Sequence, residues 1–171
     1  MKKFIQSLSA DEASRVLKCM LDNDPALMKK AYEAAVGVAG DVDADIIMGR
    51  VFSRLDMLDL DDLNGRAGRT RYGYVEPADA AWELFEEALD PFIDEIKKNQ
   101  QRGLAAAAKA HCIGIVRGLW RYEEESSSDF AGWVEDTPGE YIDTVVEEWK
   151  KGNPSSEDID EVMSIARGVR L

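Results

Sequence analysis

Two long helical patterns joined by a short glycine turn constrain what this chain can fold into. Residues 77–102 keep one apolar stripe at helical spacing through an internal proline, Pro91, which is expected to bend the helix rather than end it. After Gly103, residues 104–125 are apolar on almost every side. Because a helix without a polar face has to be surrounded by other helices, the sequence predicts an all-α domain organised around a central helical hairpin, 77–125.

The second helix of this hairpin carries small residues at four-residue intervals, at Ala106, Ala110, Gly114 and Gly118. Residues with this spacing lie on one line of a helix and let another backbone come close. Each interior glycine lowers helix stability by about 1 kcal/mol, so close packing is expected to offset that cost. We expect Gly114 and Gly118 to contact either the first helix of the hairpin or the helix that begins near Pro138. On helix propensity alone, alanine at Gly118 is expected to be mild or favourable.

Shorter helical patterns flank the hairpin on both sides. The sequence predicts helices at 9–22, 25–40 and 43–55, an extra turn at 58–63, a short helix at 129–134, and helices at 138–152 and from 155 onward. The first two are expected to form an antiparallel pair, because their connection is short. No segment requires a strand.

Residues 64–76 interrupt these patterns. They contain three glycines and three arginines without an apolar stripe, so we expect them to form the longest loop. We therefore expect one all-α domain over 1–171, in which loop 64–76 divides an N-terminal three-helix part from hairpin 77–125 and the C-terminal helices. Antiparallel hairpins in such a domain stack either as a HEAT/armadillo-like α-α superhelix or as an irregular helical bundle.

Composition places the chain among globular proteins. With 171 residues, 45% of them hydrophobic, it is long enough to bury a core without a disulfide, a metal or a cofactor. No apolar run approaches the roughly 20 residues that span a bilayer, and the N-terminus becomes polar too early for a signal peptide. We expect a cytoplasmic protein without a membrane contact. Cys19 and Cys112 each lie on an apolar stripe, where a cysteine is usually a small buried hydrophobe.

Net charge limits the class of partner. The chain carries a net charge of −13, and residues 126–171 alone contribute −7. An acidic surface of this kind repels nucleic-acid phosphate, so direct nucleic-acid binding is not expected. The acidic charge favours solubility or a basic partner, and solvated helix faces are the alternative interpretation. We expect a protein partner, and the oligomeric state stays open.

The sequence contains no recognisable catalytic or ligand-binding motif. It has no glycine-rich phosphate loop, no nucleophile elbow and no Cys-x-x-Cys motif. The single histidine, His111, is next to Cys112, and adjacent helical residues point in different directions rather than toward one ion. We therefore predict no catalytic residue, no cofactor and no metal.

Loop 64–76 is the one locally unusual surface. Its candidate partner-binding residues are arginines and tyrosines: Arg66, Arg69, Arg71, Tyr72 and Tyr74. Guanidinium groups beside aromatic rings bind phosphates, carboxylates or bases. In the alternative interpretation, the loop is a structural connector whose arginines neutralise the protein's own carboxylates. The small size of the patch beside a net charge of −13 favours that alternative.

Several segments carry a resemblance to a known group of proteins. They are GYVEPADAAWEL at 73–84, EEALDPF at 86–92, GIVRGLW at 114–120, Trp133, and EEW at 147–149. This pattern resembles an uncharacterised helical-repeat region of prokaryotic proteins, some of which also carry a SWIM-type zinc finger. The similarity covers about residues 45–152 and implies a helical adaptor similar in architecture to HEAT or armadillo stacks. The Cys-x-Cys and Cys-x-His ligands of the finger are absent from this chain.

Together these patterns predict a non-enzymatic protein-interaction or scaffold module. Two alternatives stay open. One is an accessory factor of a nucleic-acid-associated complex that uses Arg66, Arg69 and Arg71. The other is an enzyme with an unrecognised carboxylate site.

Overall fold

The computed structural model describes residues 2–22, 24–71 and 73–168. Its elements are α1 (Lys2–Gln6), α2 (Ala10–Leu21), α3 (Pro25–Gly40), α4 (Ala44–Asp56), α5 (Leu60–Arg66), β1 (Gly68–Thr70), β2 (Gly73–Val75), α6 (Pro77–Gln101), α7 (Ala105–Glu125), α8 (Thr137–Lys150) and α9 (Ser156–Ala166). A single 3-10 turn, Ala131–Trp133, occupies the segment predicted as a short helix. The described chain is mostly helical, which confirms the predicted all-α class.

Internal contacts divide the chain into two compact units, Met1–Asp41 and Val42–Leu171. The boundary lies just before α4 and not in segment 64–76. That the two units act as the single predicted domain stays a prediction.

The N-terminal unit is built from locally encoded helices. Ser9 and Glu12 form a capping box at the start of α2, where each side chain bonds the other residue's backbone N–H. The Asp24 carboxylate accepts from two N–H groups in the first turn of α3, and Pro25 occupies a position that needs no N–H. Helices α2 and α3 contact each other, and neither contains a buried residue. Cys19 is exposed, so the expectation that it is a buried hydrophobe is wrong.

Helix α7 is the centre of the C-terminal unit. It contacts α4, α6, α8 and α9, and eleven of its 21 residues are buried. This surrounding by other helices is what its lack of a polar face predicted. Aromatic rings fill the space between α6, α7 and α8: the Phe85 ring lies 6.2 Å from that of Tyr122 and 5.8 Å from that of Tyr141. The arrangement is an irregular bundle, and the repeat superhelix stays a prediction.

Gly114 and Gly118 lie at a close helix crossing, as predicted, but the partner is α4. A Cβ atom built on Gly114 meets the Ile47 Cβ atom at 2.6 Å, and one built on Gly118 meets the Val51 Cβ atom at 2.6 Å. The expectation that α6 or α8 is the partner is therefore wrong. Because the contacts advance together along both helices, α4 and α7 run in the same direction.

Alanine at these two glycines is not the mild change that helix propensity suggested. Real Cβ atoms essentially never approach another heavy atom within 3.0 Å, and both contacts are with side chains close to the α4 backbone. The added methyl group would push the two helices apart. The two glycines therefore allow α4 and α7 to approach so closely that no side chain fits between them.

Polar contacts hold both ends of this crossing. Near the start of α4, Arg117 Nη1 donates to Asp45 Oδ1 at 3.1 Å. At its end, Ser126 Oγ donates to Asp56 Oδ1 at 2.7 Å. The crossing is thus bounded by side-chain hydrogen bonds at each end of α4.

Helix α6 continues through Pro91, as predicted, from Pro77 to Gln101.

Segment 64–76 differs from the predicted loop. Its first residues belong to α5, and β1 and β2 then pair as a short antiparallel hairpin. Gly68 and Gly73 have φ values of +94° and +137°, which glycine adopts without strain. These glycines therefore shape a hairpin, and the expectation that no segment forms a strand is wrong.

Within the described residues, no helix combines the length and the apolarity that crossing a bilayer requires. The apolar stripe predicted for the last helix, from residue 155 onward, includes Val169, which lies outside the described residues.

The crossing predicts opposite effects for alanine at two helical glycines. We expect Gly118→Ala to lower the free energy of unfolding by about 1–3 kcal/mol, because the new methyl group overpacks the contact with Val51. Gly49→Ala is the matched control, because a Cβ atom at Gly49 meets nothing within 4 Å. It should stabilise α4 by about 0.5–1 kcal/mol. Urea unfolding followed by circular dichroism measures both, and equal effects would contradict the crossing.

Candidate functional site

The structure gives separate roles to the residues expected to form one patch. Arg66 ends α5 and forms a two-point ion pair with Glu87 on α6, with both N–O distances at 2.6 Å. The Arg66 hydrogen bond holds the pKa of Glu87 below its usual value, and the Glu87 bond raises the pKa of Arg66. Arg66 thus neutralises one of the protein's own carboxylates, as the connector interpretation supposes.

Arg69 and Tyr74 are opposite each other in the β-hairpin. Both are exposed, and directly opposed residues of an antiparallel ladder place their side chains on one face. Arg71 lies in the turn between the strands, and Tyr72 lies outside the described residues. That this hairpin binds a partner stays a prediction.

A concave surface lies between α4 and α6. We call it the α4/α6 groove, and its volume is about 680 Å³. Its lining residues are Asp45, Ile46, Gly49, Arg50, Ser53, Arg54 and Met57 from α4 and its C-terminal end, and Ala88, Pro91 and Phe92 from α6. The groove is thus formed by helices that the core already holds in place.

Small residues keep this groove open, and large apolar residues border it. Nothing lies within 4 Å of a Cβ atom built on Gly49. Ile46 and Met57 are 61% and 74% exposed, whereas Phe92 is only 8% exposed. The groove therefore has an apolar floor, and the rest of the C-terminal unit leaves the two apolar side chains at its edges exposed.

Two arginines lie in the same groove. Arg50 and Arg54 are one helical turn apart on α4, and both are exposed. The Arg50 guanidinium carbon lies 5.7 Å from the centre of the Phe92 ring, within range of a cation–π interaction. Among the described residues, neither arginine forms an ion pair with a carboxylate, although the chain has a net charge of −13. Positive charge beside apolar surface is thus available to a ligand.

The groove was not anticipated from the sequence. The helical pattern of residues 43–55 predicts an inward stripe that consists of Ile47, Met48, Val51, Phe52 and Leu55. Three of these, Ile47, Val51 and Leu55, are buried, whereas Met48 and Phe52 are half-buried. Ile46 lies outside that stripe, together with Arg50. An isoleucine on the polar side of α4 was a signal in the sequence that this side contacts something apolar. The groove itself could not be predicted, because its second wall, on α6, is brought there by tertiary packing.

A second cavity, of about 190 Å³, lies between the α6–α7 turn, the end of α8 and the start of α9. Gln100 Nε2 donates to the backbone oxygens of Glu148 and Trp149, at 3.2 and 2.8 Å, which caps the end of α8. Lys109 Nζ donates to Asp158 and Glu161 on α9. These contacts join α6 to the end of α8 and α7 to α9 across the cavity.

Two titratable side chains of α7, Cys112 and His111, are buried in the C-terminal unit. The described residues contain no group of three or more His, Cys, Asp or Glu side chains placed to hold a metal ion. Burial raises the pKa of the Cys112 thiol to about 12, so the thiol is protonated at neutral pH. His111 is buried, and its Nδ1 atom has no hydrogen-bond partner among the described residues. Burial lowers its pKa, the nearby Glu95 opposes this effect, and Arg50 adds to it.

Comparisons with family models, curated proteins and solved structures find no match to this chain. Only the geometry of the protein itself therefore indicates a function. On that basis the α4/α6 groove is the strongest candidate site, because it combines concavity, exposed apolar surface and unpaired charge.

Comparison of Arg66 with Arg69 tests whether the Arg66–Glu87 ion pair stabilises the fold. We expect Arg66→Ala to lower the thermal unfolding midpoint slightly, because it leaves Glu87 without its ion-pair partner. Arg69→Ala should leave the midpoint unchanged, because Arg69 is exposed on β1. Thermal melts at low salt detect the difference, and 1 M salt should reduce it. Equal midpoints for the two variants would show that the Arg66–Glu87 pair contributes nothing.

The lowered pKa of buried His111 predicts that the stability of the fold depends on pH. Its pKa is lowered in the folded protein, so the unfolded chain takes up the proton first as pH falls. The stability that comes from neutral His111 is complete above its ordinary pKa of about 6.5 and is lost as pH falls below it. His111→Gln should therefore lose less stability than the wild type between pH 7.5 and 5.5. Urea unfolding at both pH values measures this, and parallel losses would contradict it.

Proposed function

We propose that the C-terminal unit is a protein-interaction module whose α4/α6 groove binds an amphipathic helix of a partner protein. One observation carries the proposal: an open apolar groove on an acidic protein is bordered by two arginines that have no carboxylate partner in the described chain. Helix-in-groove recognition combines an apolar trough with charged residues along its edge. The proposed role is binding rather than catalysis.

The dimensions of the groove suit a short helix. The stripe from Ile46 to Met57 spans about three helical turns, or about 16 Å. A partner helix of that length presents apolar anchors one turn apart, which the Phe92 floor and the two exposed edge residues would receive. Its flanking residues should be acidic, because Arg50 and Arg54 would otherwise be desolvated without a counter-charge.

The resemblance to a prokaryotic helical-repeat region supports the same class of function, since it implies an adaptor. That resemblance and the superhelical stacking stay predictions. The alternative of a nucleic-acid-associated accessory factor has less support, because one of its three arginines, Arg66, is bound to Glu87. An interface on the β-hairpin would then rest on Arg69, Arg71 and Tyr74.

Two charge reversals of equal size distinguish the groove from the hairpin. We expect Arg54→Glu to reduce partner recovery in a quantitative pull-down about tenfold, because it places like charge against an acidic helix. Arg69→Glu, the matched control on β1, should leave recovery unchanged. Both residues are exposed, so both variants should keep the wild-type circular dichroism spectrum.

The reverse result, loss with Arg69→Glu alone, would move the interface to the hairpin. Nuclease treatment of the extract separates the alternative classes of partner. Recovery that disappears after nuclease treatment would contradict a protein partner in the groove. A further substitution, Ile46→Gln, removes an exposed apolar edge without a change of charge and should also weaken binding.

A further inference from the structure

One of the two arginines in the α4/α6 groove covers its apolar floor. Phe92 lines the groove but is only 8% exposed. The guanidinium carbon of Arg50 lies over the Phe92 ring, 5.7 Å from its centre, and Arg50 itself is exposed. The guanidinium group thus lies on the solvent side of the ring. A ligand that packs on this ring therefore has to move Arg50 first.

The second arginine, Arg54, has a different position. It follows Arg50 by one helical turn on α4 and lines the same groove. Within the described residues, the cation–π contact with Phe92 comes from Arg50 and not from Arg54. The two arginines therefore carry the same charge into one groove but differ in whether they cover its floor.

The contact between Arg50 and Phe92 is one that a suitable ligand can replace. A cation–π contact at an exposed site is weak, whereas a guanidinium group binds a carboxylate through two charge-assisted hydrogen bonds. These bonds strengthen when the ligand excludes water from the groove. A neutral apolar ligand loses the cation–π contact and gains no such bond. An apolar ligand that also carries a carboxylate replaces the weaker contact with the stronger one.

We infer that Arg50 is a specificity residue, which uncovers Phe92 for a ligand whose anionic group lies beside its apolar anchor. This inference rests on the proposed helix-binding function of the groove, and it specifies the partner further. The partner helix carries Asp or Glu within one turn of the apolar side chain that packs on Phe92. Acidic residues farther along the partner helix pair with Arg54 and do not uncover the ring.

Two dyes with the same skeleton test this inference on the full chain. Phenylnaphthylamine is neutral and apolar, and anilinonaphthalene sulfonate adds one sulfonate group to that skeleton. The sulfonate stands for the carboxylate of the partner, because it is an anionic acceptor for guanidinium N–H groups. Fluorescence titration measures the dissociation constant of each dye. Exposed apolar side chains of the N-terminal unit add the same background to every variant.

The two arginines should respond differently to removal. Arg50→Ala should strengthen binding of the neutral dye about threefold, because it uncovers Phe92. The preference of this variant for the sulfonate dye over the neutral dye should fall about tenfold, because the cation is lost as well. Arg54→Ala is the matched control, because it removes the same charge without uncovering the floor and should leave neutral-dye binding unchanged. Arg50→Lys keeps a cation over the ring and should also leave it unchanged.

The possible results separate the role of Arg50 from the function of the groove. Equal binding of the neutral dye by the wild type and Arg50→Ala overturns the inference, as does an equal gain in Arg54→Ala. If Ile46→Gln still weakens binding of both dyes in that case, the groove remains a binding site and the role given to Arg50 alone is wrong. If none of these variants changes the binding of either dye, the proposed function of the groove fails as well.

Discussion

The contact of two glycines with α4 is the constraint on which the C-terminal unit depends. At Gly114 and Gly118 the backbone of α7 approaches Ile47 and Val51 so closely that no side chain fits between them. Helix α7 buries its other sides against α6, α8 and α9. The shape of α7 thus sets the position of α4. It thereby also sets the position of the surface on the opposite side of α4.

Helix α4 has two distinct faces as a result. One face, with Ile47, Val51 and Leu55, is core. The other carries Ile46 and Arg50 into the groove, whose second wall is α6. Since α6 also packs on α7, both walls of the groove are held by the same central helix. A binding surface on packed helices keeps its geometry better than one on a loop, which favours the groove over the β-hairpin as an interface.

The sequence was informative about the helices, which depend on local pattern, but it missed the local β-hairpin of β1 and β2. Capping residues and apolar stripes predicted the principal helices, and the absence of a polar face on residues 104–125 predicted a surrounded helix. Gly114 and Gly118 predicted a close crossing but not its partner, because several neighbouring helices have equivalent stripes. Helix propensity gave the wrong sign for alanine at Gly118, since the clash with α4 is tertiary. The groove was missed for the same reason, because its opposing wall comes from a distant helix.

Because one side of α4 is core and the other lines the groove, ligand binding in the groove is thermodynamically linked to folding. A ligand that occupies the groove contacts a helix whose opposite side belongs to the core, and the groove has no counterpart in the unfolded chain. Such a ligand shifts the folding equilibrium by mass action, by about 2.7 kcal/mol when its free concentration is 100 times its dissociation constant. The heat stability of the C-terminal unit is therefore itself a reporter of occupancy. A ligand of the groove can therefore be detected by the rise in the unfolding temperature of the C-terminal unit, without an assay of activity.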